Sequence, residues 1–277
     1  MRRFTAKLFR RKLVLFGAVA LTLTILLALF APWVTRHDPM DLHVMDRLLG
    51  PSGQHWMGTD EFGRDVFSRI IHGGRYSLSI GLGVVGLSVM AGTTLGLFAG
   101  YFNRLDGPIM RVVDALMSFP DILLAIALMA ILGGSAFNVV LALAFVYTPR
   151  VARVVRASTL VVRELLFVEA ARALGVRTHR ILVVHILRNL TSPLLVQATF
   201  IFAYAILAEA GLSFLGVGVP PELPTWGTMI ASGQQFSHEA FWVVVFPGLA
   251  IVVAALSLQM VGDGLRDMLD PRLRKAL

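Results

Sequence analysis

The sequence predicts an all-α polytopic membrane protein with six transmembrane helices and both termini in the cytoplasm. Three observations carry that expectation. The charge content is too low for a soluble domain, the stretches between charges have the length a bilayer demands, and the remaining cations are distributed to one side. Of 277 residues, 56% are apolar and 15% charged, and the mean hydropathy is +0.75. Soluble domains carry about one quarter charged residues, so neither a soluble enzyme nor a disordered chain has this balance. There is no cysteine, which removes disulfide frameworks and thiolate metal sites.

A spanning helix needs about 20 mostly apolar residues. The first such stretch is Leu13–Thr35. Its basic leader resembles that of a signal peptide, but the apolar run exceeds the usual 7–15 or so residues, so an uncleaved span is expected. The second is Tyr76–Asn103. The third, between Asp121 and Arg150, is interrupted by Gly133, Gly134, Ser135 and Asn138. With the apolar run from Pro108 through Phe119 it divides into two spans, 108–132 and 137–158, joined by a Gly-Gly turn. The last two lie between Arg188 and Glu209 and between Glu239 and Asp263. Asp114 and Asp121 then fall inside or at the edge of the third span, and Glu209 near the outer end of the fifth.

With the N-terminus placed inside, twenty of the twenty-five Lys and Arg fall on the cytoplasmic side. Only Arg36, Arg47, Arg64, Arg69 and Arg75 fall outside, as the positive-inside rule requires. The net charge of +8 is thereby assigned to topology and to anionic lipid. No basic, aromatic-studded face remains for nucleic acid.

Three connections are long enough to carry function. In the first outer segment, about 36–75, Val66, Phe67, Ile70 and Ile71 predict a short interfacial helix. His37, Asp38, Asp41 and His43 have metal-ligating chemistry but no fixed phase, and a solvated loop is expected. In the second outer segment, about 216–239, Pro220, Pro221 and Pro224 predict stiff non-helical chain, with Trp226 as a headgroup-level anchor. The cytoplasmic segment 162–189 reads as a helix–Gly–helix elbow. Leu166, Ala170, Ala173 and Leu174 share one face, Gly175 suits a C-cap with positive φ, and Thr178 is placed to cap a second helix containing Ile181, Leu182, His185 and Ile186. Small alanines on the first arm permit close docking of another protein.

This elbow resembles the EAA loop of binding-protein-dependent ABC importer permeases: Glu169, Ala170, Ala171 and Gly175 match at the family spacing. The loop ends His185-Ile186-Leu187-Arg188-Asn189, with Arg188 where the family has proline, leaving Asn189 and Pro193 to break the helix. The segments at 58–78, 208–229 and 246–274 are similar to the C-type permease of dipeptide, oligopeptide and nickel importers. The resemblance implies a type I ABC importer permease fold in a bacterial inner membrane. It divides the chain into an N-terminal helix with a periplasmic segment (1–75) and a permease domain (76–277) carrying the coupling loop (162–189). It implies a heterodimer with a second, B-type permease. Two ATP-binding cassette ATPase subunits would dock at Glu169, Ala170, Ala171 and Gly175, and a periplasmic substrate-binding protein on the outer face. ATP and Mg would sit on the ATPases, with no cofactor on this chain.

The residues agree that an engine is missing. No phosphate-cradling Gly-x-x-x-x-Gly-Lys-Ser/Thr occurs, so this chain is read as a transport subunit and not an enzyme. Asp114, Asp121 and Glu209 are candidates for the translocation path, since intramembrane carboxylates default to a functional hypothesis. The plainer readings are interfacial placement for the two aspartates and a brace for the Gly211–Gly218 segment for Glu209. The rival function is a proton-coupled secondary transporter using these carboxylates, which would call for inverted repeats; no convincing internal repeat is visible. Gly211-Leu212-Ser213 faintly resembles an intramembrane protease motif, but none of the seven histidines lies inside an uncharged span.

Overall fold

A computed structural model describes residues 12–269; the basic leader and the tail cations Arg272, Arg274 and Lys275 lie outside them. Among the described residues the chain is helical, with a lone β-bridge between Thr59 and Asp65. The helices are α1 (Lys12–Leu29), α2 (Val66–Tyr101), α3 (Asn103–Met117), α4 (Asp121–Leu132), α5 (Ala136–Val162), α6 (Leu166–Ala173), α7 (Thr178–Phe214), α8 (Trp226–Gly233) and α9 (Trp242–Leu269). Five of them, α1, α2, α5, α7 and α9, are long and apolar enough to cross a membrane, and α3 with α4 makes a sixth crossing bent by 92°.

Helix directions follow from which glycines meet which neighbours. Along α2, Gly83 faces Val140, Gly92 faces Thr148 and Val151, Gly96 faces Ala152 and Val155, and Gly100 faces Arg156 and Thr159. Both sets of numbers rise together, so α2 and α5 run parallel. Gly92, Gly96 and Gly100 recur every four residues and so share one face. Such a stripe lets backbones approach closely where no hydrophobic effect operates between helices. A Cβ on Gly96 would lie 2.6 Å from the Ala152 carbonyl oxygen. At the other edge, Gly264 meets Val14, Gly17 meets Met260, and Ala28 meets Gly74. The start of α1 therefore lies beside the end of α9, and the described chain begins and ends on one face. The segment after α5 emerges on that same face, here the elbow face; the opposite one is the cap face.

Because α2 and α5 are parallel, the chain must climb back between them. The expected straight span at 108–132 is instead two helices. Pro120 has no N–H for the helical hydrogen-bond ladder and disfavours helical geometry at Phe119, so α3 ends and the chain turns. Twelve residues of α4 reach only about 18 Å, so α3 must cover the remaining height obliquely. Three arginines, one turn apart on α5, hold this return. Arg156 grips Asp106 with two hydrogen bonds, the Nη2–Oδ2 one at 2.6 Å. Arg153 pairs with Asp114 at 2.6 Å, and Arg150 pairs with Asp121. At the top, the Asn138 side chain donates to Leu132 O at 2.7 Å.

Two further expectations are corrected. The short interfacial helix at Val66–Ile71 is the beginning of α2, which Asp65 caps by accepting from the Ser68 N–H at 2.8 Å. Its 36 residues extend about 54 Å, well past a hydrocarbon core of about 30 Å. The elbow's second arm is likewise not a separate helix: it runs on into the fifth crossing as α7. The hydrogen-bond pattern loosens to π over Ile181–Ile186 and tightens to 3₁₀ over Leu187–Leu190. Pro193 withholds the N–H that Asn189 O would take in a regular helix, and the change of register absorbs the defect without a break. Thr178 makes no capping hydrogen bond; Arg177 occupies the cap position.

The glycine stripe predicts a position-specific sensitivity. Gly96→Leu forces α2 from α5, destabilises the fold by about the 1–3 kcal/mol typical of overpacking, and so lowers the thermal unfolding midpoint in detergent. Gly86→Leu, with nothing within 4 Å, leaves the midpoint unchanged.

Candidate functional site

Three regions bring chemistry-bearing residues together. The first is the elbow. Helix α6 turns Val168 and Ala171 inward, 0% and 6% exposed, and leaves Leu166 and Leu174 83% exposed. Ala170, Ala173 and Glu169 are exposed on the same arm. The apolar face read from the spacing thus has no partner within the described chain. Gly175 ends the arm at φ +72°, where its N–H donates to Arg172 O at 2.9 Å and the Val176 N–H to Ala171 O at 3.0 Å. This pair of bonds satisfies the orphan carbonyls and needs a left-handed residue. The arm is tied to the spans: the Arg172 guanidinium lies 5.0 Å over the Tyr101 ring. Arg163 Nη1 donates to Gly100 O and Asn103 Oδ1, both at 2.8 Å. Neither arginine contact was foreseen, because each joins segments about 60–70 residues apart in the sequence.

The second region is a recess of about 250 Å³ between α4, α5 and α7. Ala125, Leu143 and Leu207 line it, with Asp121, Tyr147 and Tyr204 among them. Arg150, paired with Asp121, places its guanidinium carbon 5.6 Å from both tyrosine ring centroids. Of the three carboxylates singled out in the sequence, Asp121 alone lines this recess. Asp114 sits with Arg153 at the surface, its side chain 59% exposed.

Glu209 belongs to the third region, under the cap face. It is 1% exposed. Its Oε1 accepts from Thr225 Oγ1 at 2.8 Å and from Ser213 Oγ at 2.9 Å, while Oε2 has no hydrogen-bond partner. Thr225 caps α8 through the Thr228 N–H at 3.1 Å, so Glu209 links α7 to the start of α8. The second outer segment is therefore not wholly non-helical. Trp226 is no headgroup anchor either: it is 2% exposed, and its Nε1–H donates to Ile70 O at 2.9 Å. Gly73 and Gly74 of α2 make the room, since a Cβ on Gly74 would meet the indole at 3.1 Å.

In the first outer segment His37 gathers with His55 and Asp65 rather than with Asp38, Asp41 and His43. Each group has a bonding role already. His37 contacts Gln54 O at 3.2 Å, His55 Nδ1 contacts Asp65 Oδ1 at 2.9 Å, and Asp65 Oδ2 caps α2. The arrangement fastens the segment to the helix.

A helical protein with five long apolar helices, a bent pair that can complete a sixth crossing, a recess between them and an exposed elbow on one face has the architecture of a polytopic membrane protein. The comparisons narrow that class. Residues 92–275 match the family model described as the inner membrane component of binding-protein-dependent transport systems. Residues 1–51 match that of the N-terminal transmembrane domain of oligopeptide transport permease C. A protein of Brucella suis provisionally named a peptide transport system permease is 49% identical over 97% of this chain and 90% of its own length. A dipeptide transport system permease of Alkalihalophilus pseudofirmus is 45% identical over 97% of this chain and 88% of its own. A glutathione transport system permease of Pectobacterium atrosepticum is 42% identical over 99% of this chain and 91% of its own. The chain belongs to the family of binding-protein-dependent ABC transport permeases. It is a multi-pass inner-membrane subunit and not the ATPase of its system, and the proton-coupled alternative finds no support.

The Glu209 network makes a graded prediction. Glu209→Ala leaves the buried Ser213 hydroxyl without its acceptor and Thr225 with only the longer contact to Thr228 Oγ1 at 3.3 Å, and destabilises by roughly 1–3 kcal/mol. Glu209→Gln keeps the accepting oxygen and melts close to the parent protein; thermal unfolding in detergent distinguishes them.

Proposed function

We propose that this chain is the C-type permease of an ATP-driven importer of di- and oligopeptides. It forms half of the translocation path and receives its drive at the elbow. One observation carries the reading: the apolar face of Leu166, Ala170, Ala173 and Leu174 stands outside the spans, exposed and unpartnered. An exposed apolar helix face with small residues at its centre fits a groove on another protein. Glu169 lies on its rim, where a charge sets orientation more than affinity.

In this reading the elbow face is cytoplasmic, which agrees with the placement of the cations. Two ATP-binding cassette subunits holding ATP and Mg dock on this elbow and on that of a B-type partner permease. A substrate-binding protein delivers peptide at the cap face. Residues 1–75 supply an added helix and a periplasmic segment, and 76–277 the permease domain. Asp121 faces the path, Asp114 fastens the return helix, and Glu209 braces the cap. The peptide assignment draws on the relatives' names, with glutathione, itself a peptide, within the same chemistry.

Glu169→Lys and Gly175→Leu are expected to abolish ATP-coupled uptake while the chain inserts at normal abundance. The first reverses a rim charge. The second forces a β-carbon into the left-handed region. Pull-down of tagged chain from native membranes, probed for a P-loop ATPase, reads the same loss. Normal uptake in both variants overturns the docking role.

A further inference from the structure

Three residues that line the recess between α4, α5 and α7, Asp121, Tyr147 and Tyr204, hold the Arg150 guanidinium beside it, well inside α5. Arg150 lies fourteen residues into α5 and twelve from its end, about 21 Å and 18 Å along the axis. A charge facing lipid there is expensive, yet the Arg150 and Asp121 side chains remain 35% and 39% exposed. They must therefore open onto a polar path or another chain. The α3–α4 return is also held at three other points, by Arg153, Arg156 and Asn138. The guanidinium is not saturated: Asp121 takes one edge, the Tyr147 and Tyr204 rings take a face, and among the described residues its other N–H groups make no further hydrogen bond.

We infer that the Asp121–Arg150 pair is a recognition point in the path for solutes carrying both a free ammonium and a free carboxylate group. This rests on the importer reading above. A carboxylate matches the guanidinium fork and an ammonium matches Asp121, each through charge-assisted hydrogen bonds. The Tyr147 and Tyr204 rings and Leu143 and Leu207 supply a sequence-tolerant apolar wall for the side chains between those ends. In the empty recess the two residues neutralise each other, so no isolated charge is left within the span. A zwitterionic peptide exchanges that one contact for two and opens the pair. A solute with a single charged end satisfies one partner and strands the other, which low-dielectric surroundings penalise.

The test uses the complete transporter, permeases and ATPases together, in nanodiscs without the binding protein, so that only the path is read. Saturation-transfer NMR compares alanyl-alanine with N-acetyl-alanyl-alanine and with alanyl-alanine amide. The free peptide is expected to give signal about tenfold above either blocked form, the factor that one lost charge-assisted contact represents. Asp121→Asn is expected to erase the difference between the free and acetylated peptides, and Arg150→Gln that between the free and amidated ones. Equal signals from all three peptides in the wild-type complex overturn the inference without reliance on any variant. So does unchanged binding of alanyl-alanine in both variants. ATP-driven uptake of alanyl-alanine by the same complex, with binding protein added, is scored separately. Its absence overturns the importer reading, whereas its presence with equal binding overturns the recognition point alone.

Discussion

The parallel contact between α2 and α5 governs the rest of the architecture. Two parallel helices in contact cannot be joined by a short turn, and the glycines at 92, 96 and 100 leave no room for an intervening helix. The chain must therefore return along the outside within the 34 residues between Tyr101 and Ala136. That return is the bent α3–α4 pair, and it sets Asp121 against α5 at the level of Arg150. The end of the same α5 presents the elbow. The recess and the docking arm are thus consequences of one helix–helix interface, reached from opposite ends of the same strip of backbone.

The arginines of α5 illustrate how one residue satisfies constraints at two levels. Arg153 and Arg156, toward the elbow end of α5, belong to the excess of cations that orients the chain in the membrane, while Arg150 lies deeper in the helix. In the folded chain each also meets an aspartate of the return helices. Their energetic weights differ. The exposed Arg153–Asp114 pair contributes little in water, and the two-pronged Arg156–Asp106 contact has the geometry that contributes most. Arg150–Asp121, set among aromatic rings, is as much a feature of the recess as a fastening.

The spans were legible because lipid imposes a local rule: about 20 consecutive apolar residues announce themselves without reference to any neighbour. The elbow was legible for the same reason. Its apolar spacing and the Gly175 cap depend on residues within a dozen positions, and both match the structure. What was misread depends on distant partners. Trp226 reads as a membrane-surface anchor until Gly73 and Gly74, some 150 residues earlier, are known to lie beneath it. Pro120 is visible, yet whether it kinks or divides a helix is decided by where α5 stands. Thr178 looks like a cap, but the chain enters α7 at Arg177. The stripe Gly92, Gly96, Gly100 was available as a period-four signal and names the interface on which the fold turns.

The continuity of α7 has a mechanical meaning. Thr178 at the elbow and Tyr204 at the recess lie on one helix, 26 residues and about 39 Å apart. For a rigid rod of that length, a tilt of 10° at one end displaces the other by about 7 Å, more than the width of a peptide backbone. The rod is not uniform. Between Ile181 and Leu190 it passes from π to 3₁₀ to α winding, trading residues per turn against rise. Mid-helix stretches of 3₁₀ or π winding often mark hinges, so a movement of the elbow meets this change of winding before it reaches Tyr204.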